Sequence, residues 1–238
     1  MRYPISFLAS ICLPLLALGC SVSPQPIPIY TESGFTIAIA HDPRSGSGHS
    51  HPIAVSVAQM KALLLGLRVR GRDIVGTFGM VGEDRGAPAF GESDITKLAP
   101  HLVAGLGKAS PQDLVTFHLV QRDSRGAPLV TSGGLFVRNQ HLYVILANDR
   151  TSPSSIQYET AYEPDSLIDP LLPIARFKFV AELIPQELRV TTSDAKRMDG
   201  WEGYLDESKV VVVNLQHLTK NLPSPSAPAP IVSPVIKP

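Results

Sequence analysis

Apolar residues along this chain recur with two periods, and the switch between them marks the elements. In FGESDITKLAPHLVAGLGKASP (90–111) the residues Ile95, Leu98, Ala99, Leu102, Val103 and Leu106 fall at i, i+3, i+4, i+7, i+8 and i+11. That spacing draws one continuous stripe on a helix. Ser93 is the expected cap and Gly107 the expected stop, while Pro100 should kink the helix or mark the start of its main part. An earlier helix is expected in VSVAQMKALLLG (55–66). Ser56 caps it, Gln59 completes a capping box, Val55 staples to Met60, and Gly66 ends it.

Strand signals surround these helices. GFTIAIA (34–40) is a short β-type run. LRVRGRDIVGTFGMVG (67–82) alternates, but its four glycines suggest bends or bulges. Between 113 and 149, DLVTFHLVQR, PLVTSGGLFVR and HLYVILAND form three strands joined by DSRGA and by Asn139-Gln140. Asparagine tolerates positive φ, so 139–140 fits a tight hairpin, and Gly133-Gly134 suggests a bulge. Residues 151–172 read as an irregular excursion, ARFKFVAEL (175–183) as an alternating strand, and VVVVNL (210–215) as a strand buried on both faces. The pattern predicts an α+β domain over 31–222: an antiparallel sheet, built on the 113–149 meander plus flanking strands, with two helices packed on one face.

The ends of the chain read differently. SPQPIPIY (23–30) has three prolines in eight residues, an extended tether. Residues 223–238 hold six prolines and one charge, Lys237, the composition of a disordered tail. At the N-terminus, Arg2 precedes the apolar stretch Ile5–Leu18. This is the layout of a secretory signal peptide over 1–19, too short to span a bilayer, which takes about 20 residues.

Leu16-Ala17-Leu18-Gly19-Cys20 resembles the lipobox of bacterial lipoproteins. The resemblance implies cleavage before Cys20 and acylation of that cysteine, so that 20–30 becomes a lipidated tether. Gly19 fits the position before the cut, and Leu18 is bulkier than the usual residue there. Ser21 rather than aspartate follows the cysteine, which by the enterobacterial sorting rule implies the outer membrane, facing the periplasm. The body also resembles a group of uncharacterised bacterial envelope lipoproteins, through HP (51–52), FGESDITKLAPHLVAGLGKASPQDLVTF (90–117) and TSGGLFVRNQHLYVILAND (131–149). That group brings no catalytic residues with it.

Cysteine usage and charge agree with this reading. Cys12 lies in the segment to be removed, and an acylated Cys20 leaves no thiol for a disulfide. Removing residues 1–19 leaves 219 residues (238 − 19), with 20 basic (21 − 1) and 21 acidic side chains. So balanced a chain has no electrostatic footprint for nucleic acid or anionic lipid. The expected partners are the membrane, through lipid on Cys20, and an envelope protein or peptidoglycan.

Candidate chemistry is sparse. GxSxG, GxxxxGK[ST], HExxH and CxxC are all absent. Ser132, His118 and Asp149 can be combined on paper into a triad, as serines in most chains can. HDPRSGSGHSHP (41–52) holds three of the seven histidines. His41, Asp42, His49 and His51 offer four zinc ligands, since imidazole and carboxylate are ordinary ligands for that ion. The competing reading is a solvated loop and no cofactor. Trp201 and Tyr204, in DGWEGYLDE, form a candidate partner-binding patch or a cover for the core edge. The preferred reading is a non-catalytic binding or assembly module, with a metal-binding protein as the alternative.

Overall fold

The structure, a computed structural model, describes residues 24–46, 48–71, 86–153, 169–174, 179–190 and 207–220. Its strands are β1 (Ile27–Glu32), β2 (Phe35–His41), β3 (Leu67–Gly71), β4 (Ala87–Pro88), β5 (Asp113–Arg122), β6 (Pro128–Arg138), β7 (His141–Thr151), β8 (Phe179–Leu183) and β9 (Val210–Asn214). Its helices are α1 (Val57–Gly66), α2 (Glu92–Leu106) and the short α3 (Leu215–Lys220). Six strands form one antiparallel sheet in the order β1-β2-β5-β6-β7-β9, and three form a second in the order β4-β3-β8. The fold is α+β, as the periodicity predicts.

The centre of the large sheet is the meander β5-β6-β7. Asn139 and Gln140 both take positive φ, +50° and +67°. Two successive left-handed residues make the type I′ turn whose twist matches a hairpin. The register shifts on either side of Ser132, where β6 and β7 bulge. Gly133 permits a close approach there: a Cβ on it would lie 1.9 Å from the Ile145 carbonyl oxygen. Gly134 leaves room for Leu171, whose Cδ2 would be 3.0 Å from an added Cβ.

The helices follow their stripes. On α2, Ile95, Leu98, Ala99, Leu102 and Leu106 are buried, and Met60, Leu63 and Leu64 are buried on α1. They pack together against one face of the sheet, on Ile37, Phe117, Leu135, Val137, Val144 and Val213. Leu67, Val69, Ala181 and Leu183 bring the small sheet into the same cluster. Alternate strand residues build a second cluster on the opposite face: Leu114, Phe136, Tyr143, Ile145, Val210 and Val212, with Leu171 over them. β9 is therefore buried on both sides, as its unbroken valines indicate.

Several local expectations change. The capping box of α1 forms, with Ser56 Oγ accepting from Gln59 N–H and Gln59 Oε1 accepting from Ser56 N–H. Gly66 ends that helix through a close contact instead of a left-handed turn: a Cβ there would lie 2.4 Å from the Ile184 carbonyl oxygen. Gly107 likewise caps α2 in right-handed geometry. α2 starts at Glu92, and its cap bond runs from Gly91 N–H to the Asp94 carboxylate, so Ser93 lies inside the helix. The helix continues across Pro100. The proline-rich stretch is shorter than its composition suggests, because Ile27–Tyr30 join β1 at the sheet edge, with Pro28 opposite Ala38. Proline is admitted there because an edge strand has ladder groups with no partner to lose. Of 67–82 only β3 is described, and of 175–183 only β8.

Gly133→Ala is expected to lower stability by about 3 kcal/mol or more, since backbone must move to admit the methyl. For Gly71→Ala, nothing among the described residues lies within 4 Å of the added carbon. This variant should stay within about 0.5 kcal/mol of the parent. Chemical denaturation of the two variants checks the contrast.

Candidate functional site

The histidine stretch is a hydrogen-bonded clasp whose Asp42, Ser45, His49 and His51 are buried. Its position follows from a mismatch in strand length. β5 pairs with β6 only as far as Val115 opposite Leu135, while β6 runs on to Arg138. The peptide groups of 136–138 therefore need another partner on that side. The loop supplies it: Ser50 N–H donates to the Val137 carbonyl, Val137 N–H to His51 Nε2 at 3.4 Å, and Asn139 N–H to Ser50 Oγ. From the other side, Asp42 N–H donates to Gln112 and His49 N–H to Pro111. Arg138 Nη2 reaches back to the Ser45 carbonyl at 3.0 Å.

At the centre is the Asp42 carboxylate, 0% exposed. Its Oδ1 accepts from the Arg44 backbone N–H (2.9 Å) and from Arg44 Nε (3.1 Å). Its Oδ2 accepts from His49 Nε2 at 2.9 Å. The His49 ring lies 4.4 Å from Phe136, which stacks 4.7 Å from Tyr143. His51 meets His49 edge-on at 5.7 Å. Burial alone would raise the Asp42 pKa, but the hydrogen bonds from His49 and Arg44 outweigh it and hold the carboxyl below its ordinary value. Burial, then the neighbouring His49, pulls His51 from 6.5 down to about 4, against a weaker opposing pull from Asp113.

Three of the four proposed ligands are thus close together, while His41 is exposed at the end of β2. Asp42 is occupied by Arg44 and His49, and His51 spends one ring nitrogen on β6. Among the described residues, no group of three or more histidine, cysteine, aspartate or glutamate side chains is arranged to hold a metal ion. The Asp42–His49 pair has the elements of an acid–base dyad, but both side chains are fully shielded from solvent. Its evident work is to hold the clasp. Cys20, Trp201 and Tyr204 lie outside the described residues.

A second polar cluster was not foreseen. Ser132 Oγ donates to the Pro170 carbonyl at 2.7 Å. Asn148 Nδ2 donates to Ser132 Oγ and to the Leu172 carbonyl, both at 2.9 Å, and its Oδ1 accepts from Ile174 N–H at 2.8 Å. These bonds fasten 169–174 over the face opposite the helices, where Leu171 enters the apolar cluster. They also occupy Ser132 and remove the paper triad's nucleophile. His118, opposite Ser132 across the ladder, is held below its ordinary pKa by burial, and Asp149 is raised by burial. The only sequence signal for Asn148 is its polarity at the end of the apolar run LYVILAN.

No family model, curated protein or solved structure matches this chain.

Asp42→Ala takes the acceptor from the buried His49 Nε2 and breaks the two Arg44 bonds to the carboxylate. It should cost about 3–5 kcal/mol, read by denaturant unfolding. Acid has a separate effect. The unfolded chain takes a proton on His51 near 6.5, the folded chain only near 4. Stability should therefore fall as pH drops through that window, by about 3 kcal/mol in all. Asp42 has the opposite timing, since a carboxyl held low loses its contribution only below its ordinary range. His118 adds to the His51 slope and Asp149 opposes it. His51→Gln, which keeps an acceptor for Val137, should flatten the profile between pH 6.5 and 4 in urea melts, and an unchanged slope would exclude His51 as its source.

Proposed function

We propose that this chain is a lipid-anchored envelope protein, tethered through Cys20 at the periplasmic face of the outer membrane, and that it serves as a non-catalytic binding or assembly module. The observation that carries the reading is the apolar segment Ile5–Leu18 ending in Leu16-Ala17-Leu18-Gly19-Cys20. Two features support it. First, the fold begins at Ile27, so seven positions (27 − 20) separate the proposed lipid from the first strand. Second, the polar groups with catalytic potential, Asp42, His49 and Ser132, are buried and bonded within the fold. The zinc reading has no ligand group to support it among the described residues. No described helix is long and apolar enough to cross a membrane, so attachment in this reading comes from the acyl chains. One chain binds marginally, and two or three hold firmly. The partner is an envelope protein or peptidoglycan.

Cys20→Ala should move the protein from the membrane pellet to the soluble periplasmic fraction. Mass measurement of the mature N-terminal peptide should show acyl chains that the variant lacks. A membrane-bound Cys20→Ala protein would defeat the proposal.

A further inference from the structure

We propose that the outer face of α1, continued onto the outer side of the small sheet, docks a segment of a partner protein that combines aliphatic side chains with a carboxylate. This inference rests on the reading of the chain as a binding module and adds a surface and a partner chemistry to it.

The surface begins with the composition of α1. Of its ten residues, VAQMKALLLG, seven are valine, alanine, methionine or leucine. A helix lying on a core with one stripe normally turns polar residues outward. Here Met60, Leu63 and Leu64 fill the stripe on the core side. Val57, Ala58, Lys61, Ala62 and Leu65 fall at i, i+1, i+4, i+5 and i+8 and make the other face. Val57, Ala58 and Leu65 are exposed, and Lys61 and Ala62 are half-buried.

The face runs on past the end of the helix. Ile184 N–H donates to the carbonyl of Gly66, the residue after Leu65. Leu65 is 51% exposed, Val57 38% and Ile184 37%. Among the described residues five large apolar side chains are exposed, and three of them follow one another here. Single exposed aliphatics are ordinary on a protein surface, whereas a contiguous set marks an interaction site. The helical part is about 15 Å long, the footprint of a short peptide segment.

Charge indicates what covers it. Residues 57–71 hold Lys61, Arg68 and Arg70 and no acid. On β3, Leu67 and Val69 join the core, so Arg68 and Arg70 take the outer side. Glu182 stands across the ladder from Arg68 but bonds the exposed Arg70 instead. Arg68 is half-buried, and its Nε has no hydrogen-bond partner among the described residues. Beyond Ile184, Glu187 and Arg189 offset one another. An uncompensated guanidinium beside exposed aliphatics suits a partner that brings an acid among apolar neighbours. Carboxylate and guanidinium match in planar geometry and form charge-assisted bonds. One such group favours a single directed carboxylate over a layer of lipid headgroups. A second copy fits poorly, because two-fold pairing on α1 would bring the Lys61 side chains together near the axis.

The test selects peptides from a random phage-displayed library on the full chain. Enriched peptides should combine aliphatic residues with aspartate or glutamate. Synthetic copies should bind Arg68→Gln about tenfold or more weakly and Leu65→Ser severalfold more weakly. Arg125→Gln, on the exposed β5–β6 turn, should bind like the parent. Replacing the acid of the peptide by its amide should weaken binding to the parent and remove the difference between parent and Arg68→Gln, a comparison that needs no destabilised protein. Melting curves confirm that each variant is folded. Enriched peptides that lack acids, or whose binding ignores both Arg68→Gln and Leu65→Ser, overturn the surface and leave the module reading standing. Binding to purified peptidoglycan sacculi without peptide enrichment does the same. Two further results assign the face to another occupant and overturn the proposal: a dimer by light scattering that Leu65→Ser makes monomeric, and, in vesicles, quenching of a fluorophore on Ala58→Cys by a headgroup-linked nitroxide. A chain that binds neither peptides nor sacculi overturns the module reading as well.

Discussion

Every buried peptide group must find a hydrogen-bond partner, and β6 is the strand that makes this demand hardest to meet. It extends past its neighbour β5 at one end and bulges against β7 at the other. The first leaves ladder groups for something else to satisfy, and the second sits where the Ser132 and Asn148 side chains bond another segment. At the first, the 48–51 segment lies against Val137 and Asn139. Around the second, Asn148 and Ser132 turn their polar groups to the carbonyls and amide of 169–174. The two covers on the face opposite the helices are thus consequences of one central hairpin whose ladder is incomplete.

Satisfying the backbone brought side-chain constraints with it. Once 42–51 is drawn in, its polar atoms lose water. Asp42 is compensated by two hydrogen bonds from Arg44 and one from His49. His51 is compensated less well: its bond to Val137 is long, and its Nδ1 has no partner among the described residues. The same inward packing makes the clasp rigid and leaves it sensitive to a proton. Function under the proposed reading asks little chemistry of these groups.

The sequence discloses what is local. The capping box at Ser56, the stripe on α2, the two left-handed residues at 139–140 and the double burial of β9 all depend on residues close together in the chain. Long-range dependence was hidden. His49 and His51 look like solvated loop residues until Pro111 and Val137, more than sixty positions away, are known to be their neighbours. Gly66 looks like a helix stop for conformational reasons, and its real constraint is Ile184, just past the end of β8. The pairing of β2 with β5 spans two helices and two strands of the small sheet, and no period in the sequence specifies it.

Pro28 sits on β1, one of the two strands that end the order of the large sheet among the described residues. Proteins confined to a surface meet their copies at high local concentration, and a free sheet edge is where chains add to one another. A strand that begins with proline and shifts register between Pro28 and Tyr30 presents an interrupted row of donors to an incoming chain. Under the proposed anchor, the proline in β1 would therefore also guard a crowded protein against fibrillar self-addition.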